Sequence, residues 1–249
     1  MFFVNQFMKL FVCILFSLLS SGCTKTSDNP SMAKTDLSTN NFNANARFTY
    51  LALGDSYTIG ESVQQVESFP YQLQNALKQK GFDVGAPKII AKTGWTTDEL
   101  QSAIKSENLT PTFSYVTLLI GVNNQYRGYP LSTYKQEFAE LLQRAIAFAN
   151  GDKARVFVVS IPDWGATPFG KNSGKKPETI AAEIDAFNAA NREITIAAGV
   201  SYTDITPASR NAKTDASLIA ADGLHPSAKM YNEWASALLP KISALLQQP

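Results

Sequence analysis

The sequence is poor in the residues from which metal and redox sites are built. Its 249 residues include one histidine and two cysteines. Zinc sites draw their ligands mainly from histidine and cysteine, and the carboxylates show no clustering typical of a calcium site. A phosphate-binding glycine loop and a dinucleotide fingerprint are also missing. We therefore expect neither a bound metal nor a cofactor.

The sequence also lacks an excess of positive or negative charge. Lys and Arg number 22 against 21 Asp and Glu. A leader peptide ending at Gly22 would remove only Lys9, which leaves the remaining side-chain charges balanced. A neutral chain creates no long-range field to hold a phosphate backbone, so we expect no nucleic acid among its partners.

The apolar run near the N-terminus, Leu10 to Leu19, is too short to span a bilayer. Lys9 precedes it, and the small residues Ser20-Ser21-Gly22 separate it from Cys23. This order of charge, apolar stretch and small residues predicts a signal peptide over residues 1–22. The ending resembles a bacterial lipoprotein leader, which implies cleavage before Cys23 and lipid attachment to its thiol. An ordinary secretory signal and an uncleaved anchor remain alternatives.

The segment after the leader is polar and is predicted to be a flexible tether over residues 23–45, followed by one domain over 46–249. Because Cys13 lies in the leader, the mature chain would keep only Cys23 and form no internal disulfide. The resemblance to lipoproteins implies the bacterial cell envelope. No Asp follows Cys23, and by resemblance to other lipoproteins this implies the outer membrane rather than the inner one.

Short apolar runs alternate with stretches of helical periodicity from residue 48 onward, about five times over. This alternation is typical of a parallel sheet covered by helices on both faces. The predicted strands are 48–53, 88–91, 115–120, 155–161 and 200–203. The predicted helices are 69–80, 97–105, 131–149, 177–198 and 227–247, the last kinked or split at Pro240.

Four loops that follow predicted strands or precede the last helix carry unusual polar residues. They read Gly54-Asp55-Ser56, Lys92-Thr93-Gly94-Trp95, Gly121-Val122-Asn123-Asn124 and Asp222-Gly223-Leu224-His225. Ligands of parallel sheets bind beyond the carboxyl ends of the strands. We therefore expect the four loops to meet at that edge.

A serine-hydrolase mechanism in this chain would have to use the one histidine, His225. A serine hydroxyl becomes a good nucleophile when a neighbouring imidazole takes its proton, and Ser56 is the candidate. A carboxylate must hold the imidazole in the right tautomer. Asp222 lies three residues before His225, while Asp204, after the last predicted strand, is the competing partner.

The tetrahedral intermediate of acyl transfer also needs fixed hydrogen-bond donors aimed at its oxyanion. The candidates are the backbone N–H groups of Ser56 and Gly94 and the side-chain amide of Asn123. Glycine suits position 94 because backbone and substrate must approach each other closely there.

The four blocks resemble the motifs of the GDSL, or SGNH, hydrolase family, whose catalytic set corresponds to Ser56, Gly94, Asn123 and His225. The resemblance runs from residue 48 to the end of the chain. It implies a three-layer α/β/α sandwich with a five-stranded parallel sheet of flavodoxin-like order. It also implies hydrolysis of carboxylic esters, acyl or acetyl, of small molecules, lipids or glycans through an acyl-enzyme on Ser56. Asn124 stands where many members have aspartate.

The residues of the site also bear on other classes of protein. The Gly-x-Ser-x-Gly elbow of α/β-hydrolases is absent, since Thr58 replaces its second glycine. A deacetylase, thioesterase or lysophospholipase, and a non-catalytic lipoprotein that binds a glycan or a partner with a relic site, stay open. The sequence leaves the oligomeric state undetermined.

Residues near the four loops are candidates for the lining of a pocket, whereas Glu61 is expected to be solvated. The candidate pocket residues are Asp55, Trp95, Asn124, Tyr126, Asp163 and Trp164.

Overall fold

A computed structural model describes residues 46–107, 109 and 112–248 of the protein. The predicted signal peptide (1–22), Cys23 and the predicted tether (23–45) lie outside the described residues. In the part of the chain that is described, no helix is both long and apolar enough to cross a membrane.

The described residues form one sheet of five parallel strands in the order β2-β1-β3-β4-β5. The order reverses at β1, which lies between β2 and β3, and in such sheets ligands bind at this reversal point. The strands are β1 (Tyr50–Gly54), β2 (Lys88–Ala91), β3 (Tyr115–Leu119), β4 (Val156–Val159) and β5 (Ser201–Thr203).

Every residue of β1, β3 and β4 is buried, as expected for central strands covered on both faces. The long helices supply that cover in two groups, α2 with α9 on one side and α3, α5 and α7 on the other. The helices are α1 (Ser56–Ile59), α2 (Phe69–Gln79), α3 (Thr97–Glu107), α4 (Val122–Tyr126), α5 (Leu131–Phe148), α6 (Pro168–Asn172), α7 (Pro177–Ala197), α8 (Thr206–Ser209) and α9 (Ala228–Leu246).

This arrangement confirms the predicted fold, a three-layer α/β/α sandwich of flavodoxin-like strand order. All five predicted strands and all five predicted helices are present, although their ends differ by up to two residues. Of the two effects predicted for Pro240, a kink or a split of the last helix, the split does not occur, because α9 continues through Pro240 as one helix. The short helices α1, α4 and α6 were not predicted, since four or five residues are too few to show a helical period.

Candidate active site

Ser56 is the first residue of α1 and follows β1 after a single turn residue, Asp55. The Asp55 side chain caps this helix by accepting a hydrogen bond from the Tyr57 N–H at 3.0 Å. The turn requires glycine at position 54, because a Cβ there would lie 2.1 Å from Thr58 Oγ1 and 2.4 Å from the Leu119 carbonyl oxygen. The sharp turn places Ser56 at the carboxyl edge of the sheet.

Tyr57 fixes α1 against the core. Its ring lies 6.1 Å from the Trp234 ring and 5.6 Å from the His225 ring, both in edge-to-face arrangements. Such pairs add to the stabilisation that burial alone provides. Tyr57 therefore connects the segment that carries Ser56 directly to the imidazole.

His225 and Asp222 form a short hydrogen bond across one turn. Asp222 Oδ2 lies 2.6 Å from His225 Nδ1, and Asp222 Oδ1 accepts the backbone N–H groups of Leu224 and His225, each at 2.9 Å. The carboxylate thus holds both the backbone of the turn and the imidazole ring. An Nδ1–H bonded to a carboxylate leaves Nε2 as the basic ring nitrogen.

The carboxyl group of Asp222 is held in its charged form. Partial burial opposes ionisation, but the hydrogen bonds from the His225 ring, the Leu224 N–H, the Ser62 hydroxyl and the His225 N–H outweigh it. Together they hold the pKa of the Asp222 carboxyl well below its usual value. Asp222 is therefore an anion whenever the protein is near neutral pH.

Asp204, the competing partner for His225, is engaged elsewhere. Its Oδ1 accepts hydrogen bonds from the Ser160 hydroxyl at 3.0 Å and from the Thr206 N–H at 3.1 Å. These contacts tie the end of β4 to the start of α8. The structure brings His225 together with Asp222 and not with Asp204.

The three candidate oxyanion donors lie around one cleft. Gly94 has a φ of 86°, a conformation that favours glycine. Asn123 donates one N–H of its amide to the Trp95 carbonyl at 2.9 Å, which leaves the second N–H of the same group available. Arg127 donates to the Gly94 carbonyl at 2.6 Å and so orients the peptide group between Gly94 and Trp95.

The cleft has a volume of about 200 Å³. Within the described chain, the Ser56 hydroxyl makes no hydrogen bond to His225, although both residues face this space. In enzymes without substrate, such catalytic contacts are often long and tighten only when the substrate binds. The lining residues are Ser56, Tyr57, Thr93, Gly94, Val122, Asn123, Tyr126, Trp164, Phe169, Leu224 and His225.

Of the predicted pocket residues, Tyr126 and Trp164 line the cleft. The Trp164 ring is fixed, because its N–H donates to Gln125 Oε1 at 2.7 Å, and the Tyr126 ring packs against it at 5.4 Å. Phe169, which the sequence did not indicate, also packs against Trp164, with its ring 6.0 Å from the Trp164 ring. The aromatic side chains make one wall of the cleft apolar.

Asp55 and Asp163 were also predicted pocket residues, but both are buried helix caps outside the lining of the cleft. Asp163 accepts the Gly165 N–H at 2.9 Å and pairs with the Arg210 guanidinium at 2.9 Å. Their carboxylates hold the loops after β1 and β4 and do not face the substrate space.

Trp95 and Asn124 likewise lie outside the cleft lining. Asn124 is buried and bonds Thr97 twice, accepting its backbone N–H at 3.1 Å and donating to its hydroxyl at 2.7 Å. It thereby caps the start of α3. Trp95 packs on the core and contributes its backbone carbonyl to Asn123.

Glu61, expected to be solvated, accepts a hydrogen bond from the Thr93 hydroxyl beside Gly94. The sequence also failed to indicate Thr93, Val122 and Leu224 as lining residues, although each neighbours a predicted one. Over the described residues, no group of three or more His, Cys, Asp and Glu side chains is arranged to bind a metal.

The model of the GDSL-like Lipase/Acylhydrolase family matches residues 52–232. No curated protein sequence matches the chain. Three similar solved structures share the fold at low sequence identity.

A lipase/acylhydrolase from Enterococcus faecalis is 17% identical with a TM-score of 0.63, over 79% of this chain and 96% of that one. The acetylxylan esterase Axe2 from Geobacillus stearothermophilus is 16% identical with a TM-score of 0.61, over 82% and 96%. The psychrotrophic esterase EstA from Pseudoalteromonas sp. is 17% identical with a TM-score of 0.57, over 80% and 99%.

Burial of Asp55 predicts a pH dependence of stability. Burial raises the pKa of the Asp55 carboxyl to about 7, and the Tyr57 N–H opposes this only in part. Since the pKa in the unfolded chain is about 4, folding favours the protonated form, and stability is lost as pH rises from about 4 to 7. Asp55→Asn keeps an acceptor for Tyr57 and carries no charge.

We expect the unfolding free energy of Asp55→Asn, relative to the wild type, to rise by about 2 to 4 kcal/mol between pH 4 and pH 8. Urea unfolding at several pH values measures this difference. A difference that stays constant with pH would show that the folded protein holds Asp55 charged.

Proposed function

Because the chain belongs to the GDSL-like lipase/acylhydrolase family, it is an ester-hydrolysing enzyme, and we propose that it works as a serine esterase through an acyl-enzyme on Ser56. The observation that carries the proposal is the 2.6 Å bond between Asp222 Oδ2 and His225 Nδ1 beside a cleft that Ser56 lines. This bond leaves His225 Nε2 as the base for the serine hydroxyl.

In the proposed mechanism, the Ser56 oxygen attacks the ester carbonyl while His225 Nε2 takes the hydroxyl proton. Asp222 stays ionised and stabilises the imidazolium that forms. When the tetrahedral intermediate collapses, His225 gives the proton to the leaving alcohol and the acyl group remains on Ser56. Water, deprotonated by His225, then attacks the acyl-enzyme, and the carboxylic acid leaves as Ser56 regains its proton.

The Ser56 N–H, the Gly94 N–H and the free N–H of the Asn123 amide would stabilise the oxyanion. Within the described chain, none of these three N–H groups donates a hydrogen bond to an acceptor. The other N–H of the Asn123 amide is the one that donates to the Trp95 carbonyl. Donors held in place before the reaction need no reorganisation as negative charge develops, which is why such sites accelerate acyl transfer strongly.

The lining of the cleft favours a neutral ester with a short apolar group. None of its lining residues is Asp, Glu, Lys or Arg, and its volume is about 200 Å³. We propose carboxylic esters of small molecules, lipids or glycans as substrates. An acetylxylan esterase and a lipase/acylhydrolase both share this fold, which supports a glycan or a lipid as the alcohol part.

Turnover of p-nitrophenyl esters tests the nucleophile. We expect the wild type to hydrolyse acetyl and butyryl esters faster than long-chain esters, because the cleft is small. Ser56→Ala should lower turnover to the background rate, since no other group supplies the attacking oxygen. Equal background rates for both proteins would instead support a deacetylase with a more demanding substrate or the non-catalytic binding lipoprotein.

Asp222→Asn separates the two candidate partners of His225. We expect it to lower kcat by roughly 10³- to 10⁴-fold, because the amide no longer fixes the productive tautomer. Asp204→Asn is the matched control and should change kcat little. Steady-state kinetics of both variants measures this, and a larger loss in Asp204→Asn would identify Asp204 as the partner.

We also propose that the protein is a bacterial envelope lipoprotein with the domain 46–249 tethered to an acylated Cys23. The proposal rests on the order of Lys9, the apolar run, Ser20-Ser21-Gly22 and Cys23 in the sequence. The tether would let the domain reach its ester away from the membrane surface. The absence of Asp after Cys23 favours the outer membrane.

Cys23→Ser tests the anchor. Expressed at full length in a Gram-negative host, the wild type should incorporate labelled palmitate and sediment with outer membranes, because acyl chains supply the membrane affinity. Cys23→Ser should lose the label, whereas Cys13→Ser should retain it as the matched control. Equal labelling of wild type and Cys23→Ser would rule out lipidation at this position.

A further inference from the structure

Ser62 stands out for its backbone. Among the described residues, two that are not glycine have a positive φ, Ser62 at 65° and Asn150 at 57°. Asn150 lies beside Gly151 at the turn that ends α5, and asparagine is common in this conformation. Serine is not, so the fold holds Ser62 in a disfavoured conformation. Such residues cluster at functional sites.

The Ser62 side chain points to Asp222. Its hydroxyl donates to Asp222 Oδ2 at 2.7 Å, the same oxygen that lies 2.6 Å from His225 Nδ1. With the two backbone N–H groups on Oδ1, the carboxylate accepts four hydrogen bonds in total. Ser62 supplies the one among them that comes from outside the Asp222–His225 turn.

The turn that carries Ser62 is anchored to the nucleophile and to the loop of Gly94. The Gly60 and Glu61 N–H groups both donate to the Ser56 carbonyl at 3.1 Å. The Glu61 carboxylate accepts the hydroxyl of Thr93. The Ser62–Asp222 hydrogen bond therefore connects the turn anchored to Ser56 with Asp222, which lies 160 residues after Ser62 in the sequence.

We propose that Ser62 is a positioning residue, which fixes the Asp222 carboxylate against the His225 ring and so holds that ring towards Ser56. The inference rests on the proposed serine esterase function. Since the Ser62–Asp222 contact faces solvent, water replaces part of the lost hydrogen bond in a variant. The effect of removing the hydroxyl is therefore moderate.

Two substitutions of Ser62 separate the effect of losing its hydroxyl from the effect of its strained backbone. Ser62→Gly and Ser62→Ala both remove the hydroxyl, but glycine adopts a positive φ freely and alanine does not. We expect both variants to lower kcat on p-nitrophenyl acetate about threefold to tenfold, with KM within about twofold of the wild type. In urea, Ser62→Ala should be less stable than the wild type and Ser62→Gly at least as stable.

The Asp222→Asn background and Asn150 provide the controls. In Asp222→Asn protein, either Ser62 change should alter kcat by less than about twofold, because the contact to be positioned is already lost. Asn150→Gly and Asn150→Ala, at the opposite edge of the sheet, should change stability alone. Wild-type kcat in Ser62→Gly, or effects that multiply in the Asp222→Asn background, would overturn the proposal.

The single histidine permits a test that does not depend on catalysis. In untagged protein labelled with ¹⁵N-histidine, the Nδ1–H resonance of the imidazole belongs to His225 alone. Ser62→Gly and Ser62→Ala should shift it in the same direction, and the Asn150 variants should not. An unchanged resonance would refute the positioning role. Absence of Ser56-dependent turnover in the wild type would refute only the esterase.

Discussion

The parallel alignment of β1, β2 and β3 is the constraint on which the rest of the site depends. Parallel strands end at the same edge of a sheet, so Ser56, Gly94 and Asn123 are brought to one place although 38 and 29 residues separate them in turn. Without the buried central strands, these groups would lie on separate surface loops. The burial of β1 and β3 therefore stabilises the fold and positions the candidate oxyanion donors at the same time.

Side-chain hydrogen bonds between loops complete what the sheet begins. The strands bring the loops close, but they do not fix side chains to within a few tenths of an ångström. Here the Arg127–Gly94, Asn123–Trp95 and Ser62–Asp222 contacts link neighbouring loops to one another. Preorganised donors and bases stabilise a transition state because they need no rearrangement during the reaction. The solvent-exposed edge of the sheet thus carries a connected polar network above an apolar core.

Much of this could be predicted from the sequence, and the misses have physical reasons. The apolar runs of the buried strands and the periodicity of the long helices predicted their number and their order along the chain. The short helix α1 was missed because one turn has no period. Asp163 and Asn124 were assigned to the pocket because they follow strands. Polar side chains after strands can face either the substrate space or the buried loop backbone, which needs its own hydrogen bonds.

The sequence by itself determined the fold and the chemical types at the site, because hydrophobic periodicity and a single histidine leave few alternatives. It limited the partner of His225 to Asp222 or Asp204. Only the tertiary structure placed Asp222 beside the ring and Asp204 at the start of α8. It also brought Ser62 to Asp222 and Phe169 to the cleft wall. Such contacts join residues far apart in sequence, and they depend on loop paths and rotamers that no local pattern encodes.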